Sequence, residues 1–420
     1  MYVFTIENPE GVYRKEHVKI KEQGPYIYKL IEEVKNDKKF KTFHFDSEAS
    51  LPLTEKDQIF PINTLLLNFL YQIEPMLQQG TESDSMDRAF MINEGVKKAF
   101  HENANIAFNS TVKNLFFDGI VFCENRTYHA ANRICKILEP SVRKSDSFQI
   151  DPSGAISFRL FNRIEVSKIN EKPKPRKVWK ENEYKCNEIR GIVDGMFPLH
   201  VDRAKIYEYY ISSICRPIKF IYFNKKYIET MPGYTFKASQ ENFDSSFPEN
   251  ECFCSRRNAT KSFVDSKGCM PKGAIDLSPC KNALLLLSYP HFLYAEDSYF
   301  YKIEGLSPDP EHHESEITVE PISGIPFEVS MRIQLSTVLH PVKHITVLKN
   351  VDEVIVPMFW IEVGFTLPES DVHMLRYLVY ETINLVYYIS IVGCVLTFLG
   401  FVICIILLIL RRKYRGRKYK

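Results

Sequence analysis

Residues 251–280 read ECFCSRRNATKSFVDSKGCMPKGAIDLSPC, four cysteines in one short stretch. Cys252 and Cys254 stand one residue apart. In an extended strand they share a face, yet their thiols cannot close comfortably on each other. Each therefore needs its own partner: another cysteine, a metal or nothing. Six more cysteines lie in polar sequence or near it: Cys123, Cys135, Cys186, Cys215, Cys269 and Cys280. Eight cysteines allow 105 pairings, which sequence alone leaves open. Zinc is the rival. Structural zinc usually shows paired CxxC or CxxH knuckles. Here the close pair is CxC and no histidine follows at ligand spacing, so disulfides are favoured, in an oxidising space.

Other chemistry is sparse. His312 and His313 sit between Glu311 and Glu314. Neighbouring residues point in different directions and the flanks are loop-like, so a solvated polar loop is expected rather than a metal site. The chain has no P-loop, GxGxxG, GxSxG, HExxH or EF-hand pattern. No carboxylate pair stands out for acid/base work. We expect no enzyme and no cofactor. The formal charge of +2 gives no reason to expect a nucleic-acid partner.

The elements that must position the cysteines are mostly strands. The chain carries 30 Phe and 23 Tyr but only 17 Gly in 420 residues, a composition suited to strands around a large apolar interior. KKFKTFHFDSE alternates, with Phe43 and Phe45 on one face. IAFNSTVKNLFFDGIVF, ALLLLSYPHFLY and HITVLKNVDEVIVPMFWIEVGF also read as strands. Two stretches change period. Leu65, Leu66, Phe69, Leu70, Ile73, Met76 and Leu77 make one helical face. Met86, Ala89, Phe90, Val96, Ala99 and Phe100 make a second, which Asp84 or Ser85 could cap. The spacing predicts helices over 62–78 and 85–100. The basic, Pro-rich segment 169–185 reads as a surface connection. With no alternating βα units, a large antiparallel sheet or barrel is expected.

Leu385 to Leu410 runs 26 residues without a charge, and RRKYRGRKYK follows with no acid. This predicts a membrane span with a cytosolic tail, and Tyr387 and Tyr388 near the opposite interface. Cys394 and Cys404 lie within the span, as do Gly393 and Gly400, which share a face that could pack on another helix. Yet the opening MYVFTIENPEGVYRKEH is no export signal. Either the domain is cytosolic and tail-anchored, or the sequence lacks its true N-terminus. The cysteines, with sequons at Asn109, Asn125 and Asn258, favour an exported domain and a missing N-terminal piece.

Several stretches resemble the class B scavenger receptor family, and within it most closely the insect sensory neuron membrane proteins. YVFTIENPEGV and EQGPYIYK look like that family's first strand and Gly-Pro turn. CFC followed by GAIDLSPCK, LSYPHFLYA, IEGLSPD and ITVEPISG is similar to its cysteine-rich loop and later strands. VKNLFFDGIVFCENRTYHAANRIC, FPINTLLL and MINEGVKKAF carry the narrower likeness.

The resemblance implies a mixed, β-dominated fold: a barrel-like antiparallel ectodomain over 1–382, with a helical apex at about 62–100. A transmembrane helix over 383–410, a cytosolic tail over 411–420, and a first span N-terminal to this sequence would complete it. It implies the pairs Cys186–Cys252, Cys215–Cys280 and Cys254–Cys269, with Cys123–Cys135 as a local fourth. The loop between Cys254 and Cys269 is enlarged relative to the family. Some relatives place lysines at the apex for anionic ligands. Here FHENANIAF holds Glu102, with Lys97 and Lys98 about a turn earlier.

The function implied is a cell-membrane receptor or co-receptor, its ectodomain extracellular. It would take fatty-acid-derived odorants or pheromones through a hydrophobic tunnel toward the membrane or a partner such as an odorant receptor or odorant-binding protein. General lipid scavenging and cell-surface adhesion are the alternatives. Ligand contacts cannot be assigned from the sequence.

Overall fold

The computed structural model describes residues 1–35, 38–123, 128–143, 148–150, 156–158, 164–166, 178–179, 184–188, 190–192, 197–255, 260–281 and 283–418. The chain opens with β1 (Tyr2–Ile6) and β2 (Val18–Gln23), paired antiparallel. A separate hairpin follows, β3 (Tyr28–Lys35) with β4 (Lys38–Phe45). Phe43 and Phe45 do share a face: Phe43 and Tyr28 meet the ring of Phe117, and Phe45 meets Tyr28.

Later strands complete the main sheet: β5 (Tyr207–Ile211), β6 (Arg216–Ile228), β7 (Met231–Ala238), β8 (Ala274–Asp276), β9 (Leu286–Ser288), β10 (Ile303–Glu304), β11 (Glu316–Val319), β12 (Pro326–Leu339) and β13 (Val354–Thr366). Its order is β5-β6-β7-β11-β12-β13-β1-β2-β10, with β8 and β9 joined alongside β12. Pairing is antiparallel except between β10 and β2. Among the described residues the path is open, running from β5 to β10 without returning on itself. The fold is mixed and sheet-rich, but a closed barrel is not seen. VIVPMFW, the first half of β13, is buried on both faces, as a continuous apolar run requires. Its second half is exposed or half-buried.

The two expected helices are α1 (Thr64–Leu77) and α2 (Glu82–Phe100). The cap differs from expectation. Thr81 takes the N-cap and Asp84 bonds back to it, a reciprocal capping box. Met76 of α1 points to solvent; in α2, Ala89, Val96, Ala99 and Phe100 are buried, whereas Met86 and Phe90 point to solvent. The reason is α3 (His129–Arg143), a helix the sequence reading did not anticipate. It packs on α2 at Gly95, where a Cβ would meet the Ile134 Cδ1 at 2.6 Å. That contact rotates the buried face of α2 toward α3. The stretch IAFNSTVKNLFFDGIVF is also more broken than a strand. Ser110–Thr111 is extended, Asn114–Asp118 is a helical turn, and Ile120–Phe122 is extended again. Residues 345–350, read as part of a strand, form turns before β13.

After β13 the chain enters α4 (Glu369–Arg376) and, through a short wide turn, α5 (Thr382–Lys418). The stretch is long and apolar enough to cross a membrane, and its most apolar window has no buried share. A helix apolar all round with nothing packed on it is suited to lipid. Gly393 and Gly400 have open space around them. The helix is fixed to the folded domain at its base. Val372 and Leu375 bury with Met231 and Phe327, and Tyr380 donates to the buried Glu320 Oε1 at 2.7 Å.

Candidate functional site

Where α1 begins, its N-terminus is tied to the chain that leaves α2. The Asn63 side chain accepts from the Leu66 N–H and donates to the Asn103 and Asn105 carbonyls at 2.6 and 3.1 Å. The Asn63 N–H donates to the Ile106 carbonyl, and the Ile106 N–H in turn donates to the Tyr13 hydroxyl. One asparagine thus caps a helix and positions a loop. Below this knot lies an apolar cleft.

The cleft encloses about 520 Å3 of space that includes open solvent. Asn63, Thr64 and Asn103 stand at its polar side. Phe100, Phe108, Leu115 and Phe122 form walls, with Met358 and Phe359 of β13 opposite. Phe100 stacks on Phe122 at 5.4 Å, and Phe116 meets Phe359 edge-on at 5.2 Å.

Met358 and Phe359 are consecutive, so strict strand alternation would send one of them away from the cleft. The register explains why both line it. Leu335 pairs with Phe359 and Ser336 with Pro357, which leaves Met358 as the extra residue of a β-bulge. Pro357 can sit inside the sheet because the ladder is already interrupted there.

No titratable side chain lines the cleft among the described residues. An ionised head group placed there would be desolvated without a counter-charge, at a cost of several kcal/mol. The partial positive charge at the start of α1 offsets about 1 kcal/mol of that. An uncharged apolar ligand suits the lining.

The structure brings the cysteines together as Cys123–Cys135, Cys186–Cys252, Cys215–Cys280 and Cys254–Cys269, with Cα separations of 6.0, 6.1, 6.0 and 4.5 Å. The first pair abuts the cleft, since Cys123 follows Phe122 and its N–H donates to the Ala99 carbonyl. The other three tie the region around Trp179 and Phe253, away from the cleft. Asn109 is exposed, one residue beyond Phe108. Asn125 and Asn258 lie outside the described residues. Lys97 and Lys98 are exposed in the last turn of α2, and Glu102 is exposed after it.

His313 departs from the solvated loop expected of it. It is buried, and the Asp309 N–H donates to its Nδ1 at 2.9 Å. His312 remains exposed beside Asp309. Among the described residues no three His, Cys, Asp or Glu side chains gather as a metal site.

A sheet-rich domain fixed at its base to a long apolar helix is the architecture of a membrane-anchored protein. The CD36 family model matches residues 1–408, and the chain belongs to that class B scavenger receptor family. It is similar to sensory neuron membrane protein 2 of Aedes aegypti, 26% identical over 89% of this chain and 82% of that protein. It is likewise similar to sensory neuron membrane protein 2 of Drosophila melanogaster, 24% identical over 94% and 84% of the two chains. Sensory neuron membrane protein 1 of Apis mellifera is 26% identical, over 92% and 76%.

Cleft residues were not assignable in the sequence because they come from four separated stretches. The one local signal was Pro357, a proline inside an otherwise unbroken apolar strand.

Proposed function

We propose that the protein is a membrane-anchored receptor or co-receptor that takes uncharged, apolar, fatty-acid-derived ligands into the cleft and passes them toward the membrane or a partner receptor. The observation that carries this reading is the cleft itself, aromatic-walled and free of titratable groups. Burying apolar surface yields about 25 cal/mol per Å2, so a long chain gains more than a short one. The names of the relatives support a sensory setting, with olfaction or pheromone response as the role. In this reading residues 1–382 form an extracellular ectodomain with a barrel-like enclosure. Residues 383–410 span the membrane and 411–420 are cytosolic. Four disulfides and glycans on Asn109, Asn125 and Asn258 suit that side.

The test is uptake of a fluorescent long-chain ester by the purified full chain in nanodiscs. Saturable uptake is expected, with Met358→Trp reducing it at least roughly tenfold by filling the cleft. Absence of saturable uptake would leave a surface-presenting adhesion protein as the better reading. Uptake unaffected by Met358→Trp would move the ligand elsewhere. Expression outside sensory organs alone would replace the sensory role with general lipid scavenging.

A further inference from the structure

His291 and His313, from two short turns of the chain, stack ring on ring with centroids 4.5 Å apart and planes 14° from parallel. Both are buried. His291 sits in the turn Pro290–Phe292 in a left-handed conformation, and its N–H donates to the buried Gln334 Oε1 at 2.7 Å. His313 closes the turn Pro310–His313.

The Ser307 N–H donates to the His291 Nδ1 at 3.0 Å, and the Asp309 N–H donates to the His313 Nδ1 at 2.9 Å. A ring nitrogen that accepts a hydrogen bond carries no proton. Both rings are therefore neutral, with the proton on Nε2. The His291 Nε2–H donates to the Glu22 Oε2 at 2.8 Å, and the other Glu22 oxygen accepts from the Trp360 Nε1–H at 2.9 Å.

A proton added at either Nδ1 would set N–H against N–H. Two such protons would also place two cations face to face. We propose that this stacked pair is an acid-released latch: its neutral rings hold segment 304–313 against the sheet, and protonation of the His313 Nδ1 expels the Asp309 N–H and frees that segment.

The groups that face His313 decide which way it titrates. Glu22 from β2 and Asp309 from the segment itself favour a proton on His313, while His291 and His312 oppose it. β12 and β13 present only uncharged groups, Gln334 and Trp360. Burial is the largest influence and, with the neighbouring imidazole, holds His313 down to about 4. The latch lies beside Trp360, the residue after Phe359 of the cleft, and needs no ligand to work.

Hydrogen exchange on the full chain in nanodiscs tests it, compared at about pH 7.5 and about pH 5 after correction for intrinsic rates. Releasing a histidine from about 4 to its ordinary 6.5 makes opening easier by more than roughly tenfold at the lower pH. Protection of segment 304–313 is expected to fall by that factor while β12 holds. His313→Asn supplies a non-titrating acceptor for the Asp309 N–H and is expected to keep protection at both pH values. Equal protection of the native chain at both, or equal loss in His313→Asn, overturns the latch. Should that variant fail to fold, nitrogen chemical shifts of the native histidines serve instead: a proton on the His313 Nδ1 at neutral pH overturns it.

Discussion

Phe100, Phe122, Leu115 and Phe359 meet around the cleft with no charge among them, whereas the region around Trp179 and Phe253 buries a guanidinium. There Arg216 lies over the Phe253 ring at 4.1 Å and donates to the Asn242 carbonyl and the Asn250 Oδ1 at 3.0 and 3.1 Å. The Trp179 indole N–H donates to the Cys215 carbonyl at 2.8 Å. No carboxylate accepts from Arg216 among the described residues, and burial pulls its guanidinium down to about 9. Such a group stays in place only if its surroundings cannot relax, and three cysteine pairs supply that rigidity. The cleft has one cysteine pair at its edge and the Asn63 hydrogen bonds at its polar side, while its walls rest on apolar contacts, which repack at low cost. In the proposed reading, ligand accommodation belongs to the cleft and shape-keeping to the disulfide-tied region.

The largest expected effect breaks the rigid side. Replacing Cys215 and Cys280 together by Ala opens a loop whose ends are 65 residues apart, and should cost about 4 kcal/mol in denaturant unfolding. Ester uptake by the protein that remains folded should be unchanged. A loss of uptake at full folding would show that the two regions are coupled.

Phe100→Ala acts on the other side. It removes a buried ring that stacks on Phe122, and should cost about 3 kcal/mol. The enlarged cleft should admit bulkier esters, seen as a shift in the preferred chain in competition assays.

Acid should separate the regions further. The buried His313 sits at about 4 in the folded chain against about 6.5 unfolded. The unfolded chain therefore binds more protons between those values, so stability is full above about 6.5 and falls as pH drops toward 4. Thermal melts should follow that course, and His313→Asn should flatten it.

The smallest effect tests the apex alone. Thr81→Ala removes the capping box of α2 and should cost about 1 kcal/mol, without moving uptake or the acid response.

Much of the architecture was legible because it rests on local periodicity. The helical stripes at Leu66 to Leu77 and Ala89 to Phe100 and the uncharged run from Leu385 to Leu410 are patterns within single segments. The family likeness was legible because its cysteine and Pro-His-Phe pieces keep their order. What escaped depends on contacts between segments. The buried face of α2 turns on where α3 lands, which the stretch around Cys135 does not announce. The cleft needs a bulge at Met358, and a bulge exists only relative to the partner strand. His313 looked solvated because its neighbours are polar, but its ring is covered by His291 and Trp360, contacts that no local pattern announces.

The bond from Tyr380 to Glu320 makes the junction between domain and helix stiff. A domain on a loose tether would wander in height and heading above a bilayer. One clamped at Tyr380, Val372 and Leu375 behaves like a mast stepped into a hull. When a helix with a long apolar stretch leans to match the thickness of its membrane, the folded body must lean with it. Bilayer thickness then sets the direction in which the cleft faces, so lipid composition could steer the protein without ever occupying it.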